Sequence, residues 1–141
     1  MEHPGITLYM ISAMASVALA DEKLTQREKE ALVQVVSAYK RGLLTPPEIL
    51  DQVEQTISML LAGGAPLLQE ILSGGRHLPA ESKSIVIDAA GTMAFVDGEP
   101  GSKEIELTVK IARWIGMDRP AFDRWAQEFQ HELDRRKGTP T

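Results

Sequence analysis

Ala18-Leu19-Ala20-Asp21-Glu22-Lys23-Leu24-Thr25-Gln26-Arg27-Glu28 reads as the apolar end of one helix, an acidic turn and the capped start of a second helix. Seventy-six residues on, Ala94-Phe95-Val96-Asp97-Gly98-Glu99-Pro100-Gly101-Ser102-Lys103-Glu104 has the same order. Ala18/Ala94, Asp21/Asp97 and Glu28/Glu104 are identical between the two, and Ile11/Ile87, Val17/Met93, Leu19/Phe95, Ala31/Leu107 and Val35/Ile111 match in kind. A unit repeated in this way is one supersecondary element used twice. The expectation is two pseudo-symmetric helix-turn-helix repeats, about residues 5–41 and 79–116.

The surrounding chain is helical by pattern. A first helix over 5–20 follows Pro4 and is apolar all round, which places it at the centre. Its small residues Ser12, Ala13, Ala15, Ser16 and Ala18 allow neighbours to approach closely. Thr25-x-x-Glu28 has the form of a capping box, in which hydroxyl and carboxylate exchange bonds with the first backbone N–H groups. Ala31, Leu32, Val35, Val36 and Tyr39 then form a stripe of 3.6-residue period. Thr45-Pro46 opens a third helix, with Ile49, Leu50, Val53, Ile57, Leu60 and Leu61 as its expected buried face and Gly63-Gly64 as its end. A short helix over 66–72 lies between two glycine pairs, and Gly74-Gly75-Arg76-His77 is the most loop-like interior stretch.

Pro79 begins a fifth helix, and a sixth runs over 102–115 to Gly116. The seventh follows the cap Asp118, with Phe122, Trp125, Ala126, Phe129 and Leu133 as its stripe. Residues 137–141 read as a disordered tail. With no sustained period-2 run, the fold class is all-α: about seven helices in one domain spanning 1–141.

Composition narrows the function classes. Hydrophobic residues make up 43% and charged residues 25% of the 141, as in a globular protein. A net charge of −5 opposes nucleic acid, which calls for a basic face. The absence of cysteine removes disulfides, thiolate metal sites and cysteine nucleophiles. Residues 6–20, ending Ala18-Leu19-Ala20, imitate a signal peptide, but no Lys or Arg precedes them and the same helix has a counterpart deep in the chain. No apolar run approaches the ~20 residues of a membrane span. The expectation is a cytoplasmic protein without direct membrane insertion.

The paired turns have two readings. In one, Asp21 and Asp97 accept backbone N–H groups in the turn, and Glu28 and Glu104 are first-turn acids favoured by the helix dipole. In the other, they hold a cation. An acid in a helix's last turn faces the negative end of the dipole at a cost of roughly 0.3–1 kcal/mol, and here this happens twice, beside Glu22 and Glu99. Carboxylates with turn carbonyls suit Ca²⁺ or Mg²⁺, and Zn²⁺ is the further divalent candidate. Asp21, Glu28, Asp97, Glu99 and Glu104 are the candidate ligands, although the spacing is not that of an EF-hand. Glu128-x-x-His131 has di-iron spacing without the second copy such sites require, and His131 falls opposite the apolar stripe. The glycine pairs lack the Lys-Ser/Thr of a phosphate loop. No catalytic arrangement emerges, and the expectation is a protein that is not an enzyme.

An apolar helix ending in Ala-Asp or Val-Asp-Gly-Glu, a cap, a Glu seven residues after the Asp, and a second copy of the unit together resemble the TerB-like family. That family takes in bacterial tellurite-resistance proteins and the N-terminal domain of a membrane-anchored J-domain co-chaperone. Glu22-Lys23 in the first turn and Pro100-Gly101 in the second depart from its usual pattern, so Asp21, Lys23, Thr25 and Glu28 carry over from the first copy. The resemblance implies a non-catalytic stress-response module that binds metal and acts with membrane-associated protein partners. The alternative is a metal-free protein-interaction module using a groove between the two hairpins or the loop Gly42-Leu43-Leu44. Oligomeric state is not legible.

Overall fold

A computed structural model describes residues 6–20, 25–40, 45–96 and 101–138. They form six α-helices: α1 (Ile6–Leu19), α2 (Gln26–Lys40), α3 (Pro46–Ser73), α4 (Ala80–Ala94), α5 (Ser102–Trp114) and α6 (Arg119–Gly138), with a 3₁₀ turn at Gly74–His77. The described residues contain no strand. α2 and α5 begin 76 residues apart, at Gln26 and Ser102.

α1 is the central post. Every residue from Met10 through Ala18 is buried, as an all-round apolar helix requires. It packs most extensively on α4, next on α3, and also touches α2 and α5. Both helices of this pair bury small residues, Ala13, Ala15 and Ala18 in α1 and Ala89, Ala90 and Gly91 in α4; a Cβ on Gly91 would meet Phe129 of α6 at 3.8 Å. Ile11, Met14, Leu32, Ile49, Ile87, Met93 and Ile111 fill the core around them. α6 closes one flank through Trp125, Phe129 and Leu133. The Phe129 ring lies 5.1 Å from Trp125 and 5.3 Å from Phe95 in tilted pairs, the geometry aromatic quadrupoles favour. The Thr7 and Ser12 hydroxyls in α1 are buried and make no hydrogen bond.

The count of six rather than about seven has a local cause. The helix expected to end at Gly63-Gly64 and the short one over 66–72 are two arms of α3, broken only at Gly64 (φ 67°, ψ −163°). That backbone region is essentially reserved for glycine. Pro66 sits two residues past the break, at the start of the second arm, where a missing N–H is tolerated.

The buried face of α3 also differs from the expected stripe. Ile49, Val53, Thr56 and Leu60 point inward, a clean 3.6-residue series. Leu50 and Leu61 are instead exposed, Leu61 by 68%. The six apolar residues make a band wider than the core can cover, and the two on its edge stay outside.

Gly74–His77 is no loose loop. Gly75 is buried, and a Cβ there would meet Ile115 Cγ1 at 3.3 Å. The end of α5 opposite it is fully capped. Gly116 (φ 80°) turns the chain, its N–H bonds to the Arg113 carbonyl at 3.1 Å and that of Met117 to Ala112 at 3.3 Å, which is a Schellman motif. Arg76 Nε donates to the Trp114 carbonyl and Lys83 Nζ to that of Gly116, each at 3.1 Å, adding positive charge where the helix dipole is negative. At the chain's end, α6 continues through Gly138, past residue 137 where a disordered tail was expected. Pairs such as Gln130–Asp134, at 3.0 Å, brace its last turns. Residues 139–141 lie outside the described residues.

Candidate functional site

Of the five candidate ligands, the structure describes Glu28 and Glu104. Asp21, Asp97 and Glu99 lie outside the described residues, as does the loop Gly42-Leu43-Leu44. Glu28 sits in the first turn of α2. Its Oε1 accepts the Thr25 N–H at 2.9 Å, and Thr25 Oγ1 accepts the Glu28 N–H at 3.1 Å, so the capping box is formed. Glu104 stands at the same place in α5. Its Oε1 accepts the Gly101 N–H at 3.0 Å, and its carbonyl accepts the Thr108 hydroxyl at 2.7 Å. Having no side chain, Gly101 supplies only half of the exchange.

A third such pair escaped the sequence reading, although Thr45-Pro46-Pro47-Glu48 carries the same threonine-to-glutamate spacing. The Thr45 N–H donates to Glu48 Oε1 at 3.2 Å, and the Glu48 N–H to Thr45 Oγ1 at 3.4 Å. Glu48 is an internal control. It does the same capping work and is exposed, whereas Glu28 is only 3% and Glu104 only 7% exposed. Capping alone therefore does not require burial. A buried carboxylate calls for donors or a cation facing it, and the two buried glutamates are those of the two matching turns.

The box has a direct test in stability. Thr25→Ala should lower the unfolding free energy by about 1 kcal/mol, the usual worth of an N-cap hydroxyl, with the helical spectrum unchanged. An unmoved urea midpoint would mean that the bond contributes nothing.

Among the described residues no group of three or more His, Asp or Glu side chains is arranged to hold a metal. Glu128 and His131 are both exposed, so the Glu-x-x-His spacing builds no centre. Glu128 does face Asp88 of α4 across a crevice of about 150 Å³ that Arg124 also lines. Partial burial, then the Glu128 charge, raises the Asp88 carboxyl above its ordinary range. A carboxyl raised in the fold favours folding at acid pH, and that contribution is lost as pH rises through its folded value. No local pattern marks this pair, since its members lie forty residues apart on different helices.

A second feature is apolar. The end of α1, the break in α3 and Leu107 of α5 enclose a cleft of about 300 Å³, lined by Leu19, Leu60, Leu61, Ala65 and Leu68. Of its lining residues Leu61 is 68% exposed.

Comparison with known proteins follows the same lines. No curated protein and no solved structure matches the chain. The family model for tellurite resistance protein TerB matches residues 7–127, a span that holds both turns, the whole of α3 and the α1–α4 seam. The chain belongs to the TerB family.

Proposed function

We propose that this TerB-family protein is a non-enzymatic stress-response module of the bacterial cytoplasm that binds a divalent cation at its two acidic turns and acts with protein partners at the membrane. Glu28 and Glu104 supply buried carboxylates, and Asp21, Asp97 and Glu99 are the neighbouring acids in sequence. The observation that carries the reading is the burial of Glu28 and Glu104 beside the exposure of their capping counterpart Glu48. The donor set consists of carboxylates and turn carbonyls, with no thiolate in the chain. Such oxygen donors fit Ca²⁺ or Mg²⁺ better than Zn²⁺. A bound cation would supply positive charge beyond the ends of α1 and α4, where the helix dipole is negative, and would offset the buried carboxylates of Glu28 and Glu104.

Scanning calorimetry tests this. With millimolar Ca²⁺ or Mg²⁺ the parent should melt at higher temperature, by mass action on the folded state; saturation at a hundred times Kd is worth about 2.7 kcal/mol. Glu28→Gln with Glu104→Gln keeps a carbonyl oxygen for the cap but removes both charges, and that variant should not respond. Asp21→Asn with Asp97→Asn should behave likewise. A parent whose melting temperature ignores Ca²⁺, Mg²⁺ and Zn²⁺ alike ends the metal reading. The alternative reading, a metal-free interaction module working through a groove between the hairpins, draws on the cleft formed by α1, α3 and α5.

A further inference from the structure

Against the expectation that no apolar run approaches a membrane span, the stretch Pro46–His77, α3 with the 3₁₀ turn, is by length and composition apolar enough for one. Yet only 17% of its most apolar window is buried within the molecule. Core helices of globular proteins hide such stretches, whereas here Leu50, Met59 and Leu61 are left exposed. Uncovered apolar side chains grouped on one helix offer a partner a surface. The charges on α3 are one-sided. From Pro46 to Ser73 the helix holds Glu48, Asp51, Glu54 and Glu70 and no Lys or Arg.

Their placement is ordered. Asp51, Glu54, Ser58 and Leu61 follow one another at helical spacing, and Glu48, Gln52, Gln55, Met59 and Ala62 form the adjacent row; all are exposed. Each row begins acidic and ends apolar, beside the cleft at the break in α3. A lipid surface would cover the apolar end, but the anionic headgroups of a membrane repel the acidic end. A basic amphipathic helix satisfies both ends. Its apolar side chains, at i, i+3, i+4 and i+7, suit a groove between helices, and its Lys or Arg residues meet Glu48, Asp51 and Glu54.

We infer that the outer face of α3 docks a basic amphipathic helix of a partner protein, with one large apolar side chain of that helix seated in the cleft between Leu19, Leu61 and Leu107. The site uses none of the metal candidates and stands or falls apart from them.

The test is fluorescence anisotropy on the full chain with EDTA present. The probe is a labelled helical peptide of roughly 18 residues, five turns, with Leu on one face and Lys on the other; a counterpart carries Glu in place of Lys. The Lys peptide should bind, and the Glu peptide should not. Leu61→Glu should weaken binding by about tenfold or more, because it charges the apolar anchor point. Asp51→Lys with Glu54→Lys should do the same by charge reversal. Asp134→Lys, on α6, should change it less than about twofold, as expected of an exposed charge remote from the site. All these positions are exposed, and circular dichroism melts confirm that each variant folds. Equal binding of both peptides would overturn the proposal, as would an Asp134→Lys loss matching that of the α3 charge reversal. Flotation of the parent with phosphatidylglycerol vesicles, abolished by Leu61→Glu, would assign the face to lipid instead.

Discussion

Ile11→Ala should lower the unfolding free energy by about 2–5 kcal/mol, the range for truncating a large aliphatic side chain in a packed core. Ile11 is 1% exposed in the middle of α1, and α1 is bounded by α4, α3, α2 and α5. With neighbours on every side, no one of them can move into the space without leaving another gap. A domain of this size has roughly 5–15 kcal/mol in total, so the variant should sit near the edge of folding at 37 °C. Leu8, 41% exposed on the same helix, is the control, and Leu8→Ala should change the urea midpoint little. A loss below ~1 kcal/mol at Ile11 would remove α1 from the centre of the bundle.

Gly64→Ala comes next, and here the sign is informative as well as the size. In an ordinary exposed helical position, replacing glycine by alanine stabilises by up to about 1 kcal/mol. At Gly64 the backbone stands at φ 67°, ψ −163°, and the change should instead destabilise by about 1–3 kcal/mol. The loss would be one of backbone strain, because an added Cβ meets nothing closer than Pro66 Cδ at 3.7 Å. Gly63 is the contrasting case: its Cβ would fall 2.4 Å from Leu67 Cδ2, so alanine there collides with a side chain. Thermal melts of Gly64→Ala decide the matter, and a stabilised variant would mean that α3 is continuous.

Much of the architecture was legible because it rests on local signals. Pro4, Thr25, Thr45-Pro46, Pro79, Asp118 and Gly116 punctuate the chain, and the helices begin and end beside them. The central place of α1 followed from its lack of a polar face. The errors share one physical source, that periodicity reports which residues can be buried and not how much partner surface there is to bury them. Leu50 and Leu61 fit the stripe of α3 and still lie outside. The glycine and proline at 63–66 looked like an end and a new start, whereas one unusual residue, Gly64, takes up the whole change of direction.

The site was legible in a narrower sense. The repeat singled out Glu28 and Glu104 by position and the capping box by letters. Their burial, and the exposure of Glu48, depends on which helices cover each N-terminus, and no local pattern carries that. The Asp88–Glu128 pair likewise arises only once separate segments are brought together, whereas the acidic charge of α3 lies in one continuous stretch and the fold adds only that its face stays exposed.

Helix ends ordinarily fray, opening and closing without the rest of the molecule taking part. The last turn of α5 does not have that freedom. For it to unwind, Arg76 and Lys83 must release the carbonyls of Trp114 and Gly116, and Ile115 must draw away from the backbone at Gly75. These contacts come from the 3₁₀ turn and from α4, more than thirty residues earlier in the chain. Unwinding at this corner therefore costs the contacts of Arg76, Lys83 and Ile115 as well as the helix's own bonds, so the end of α5 is held by the 3₁₀ turn and by α4.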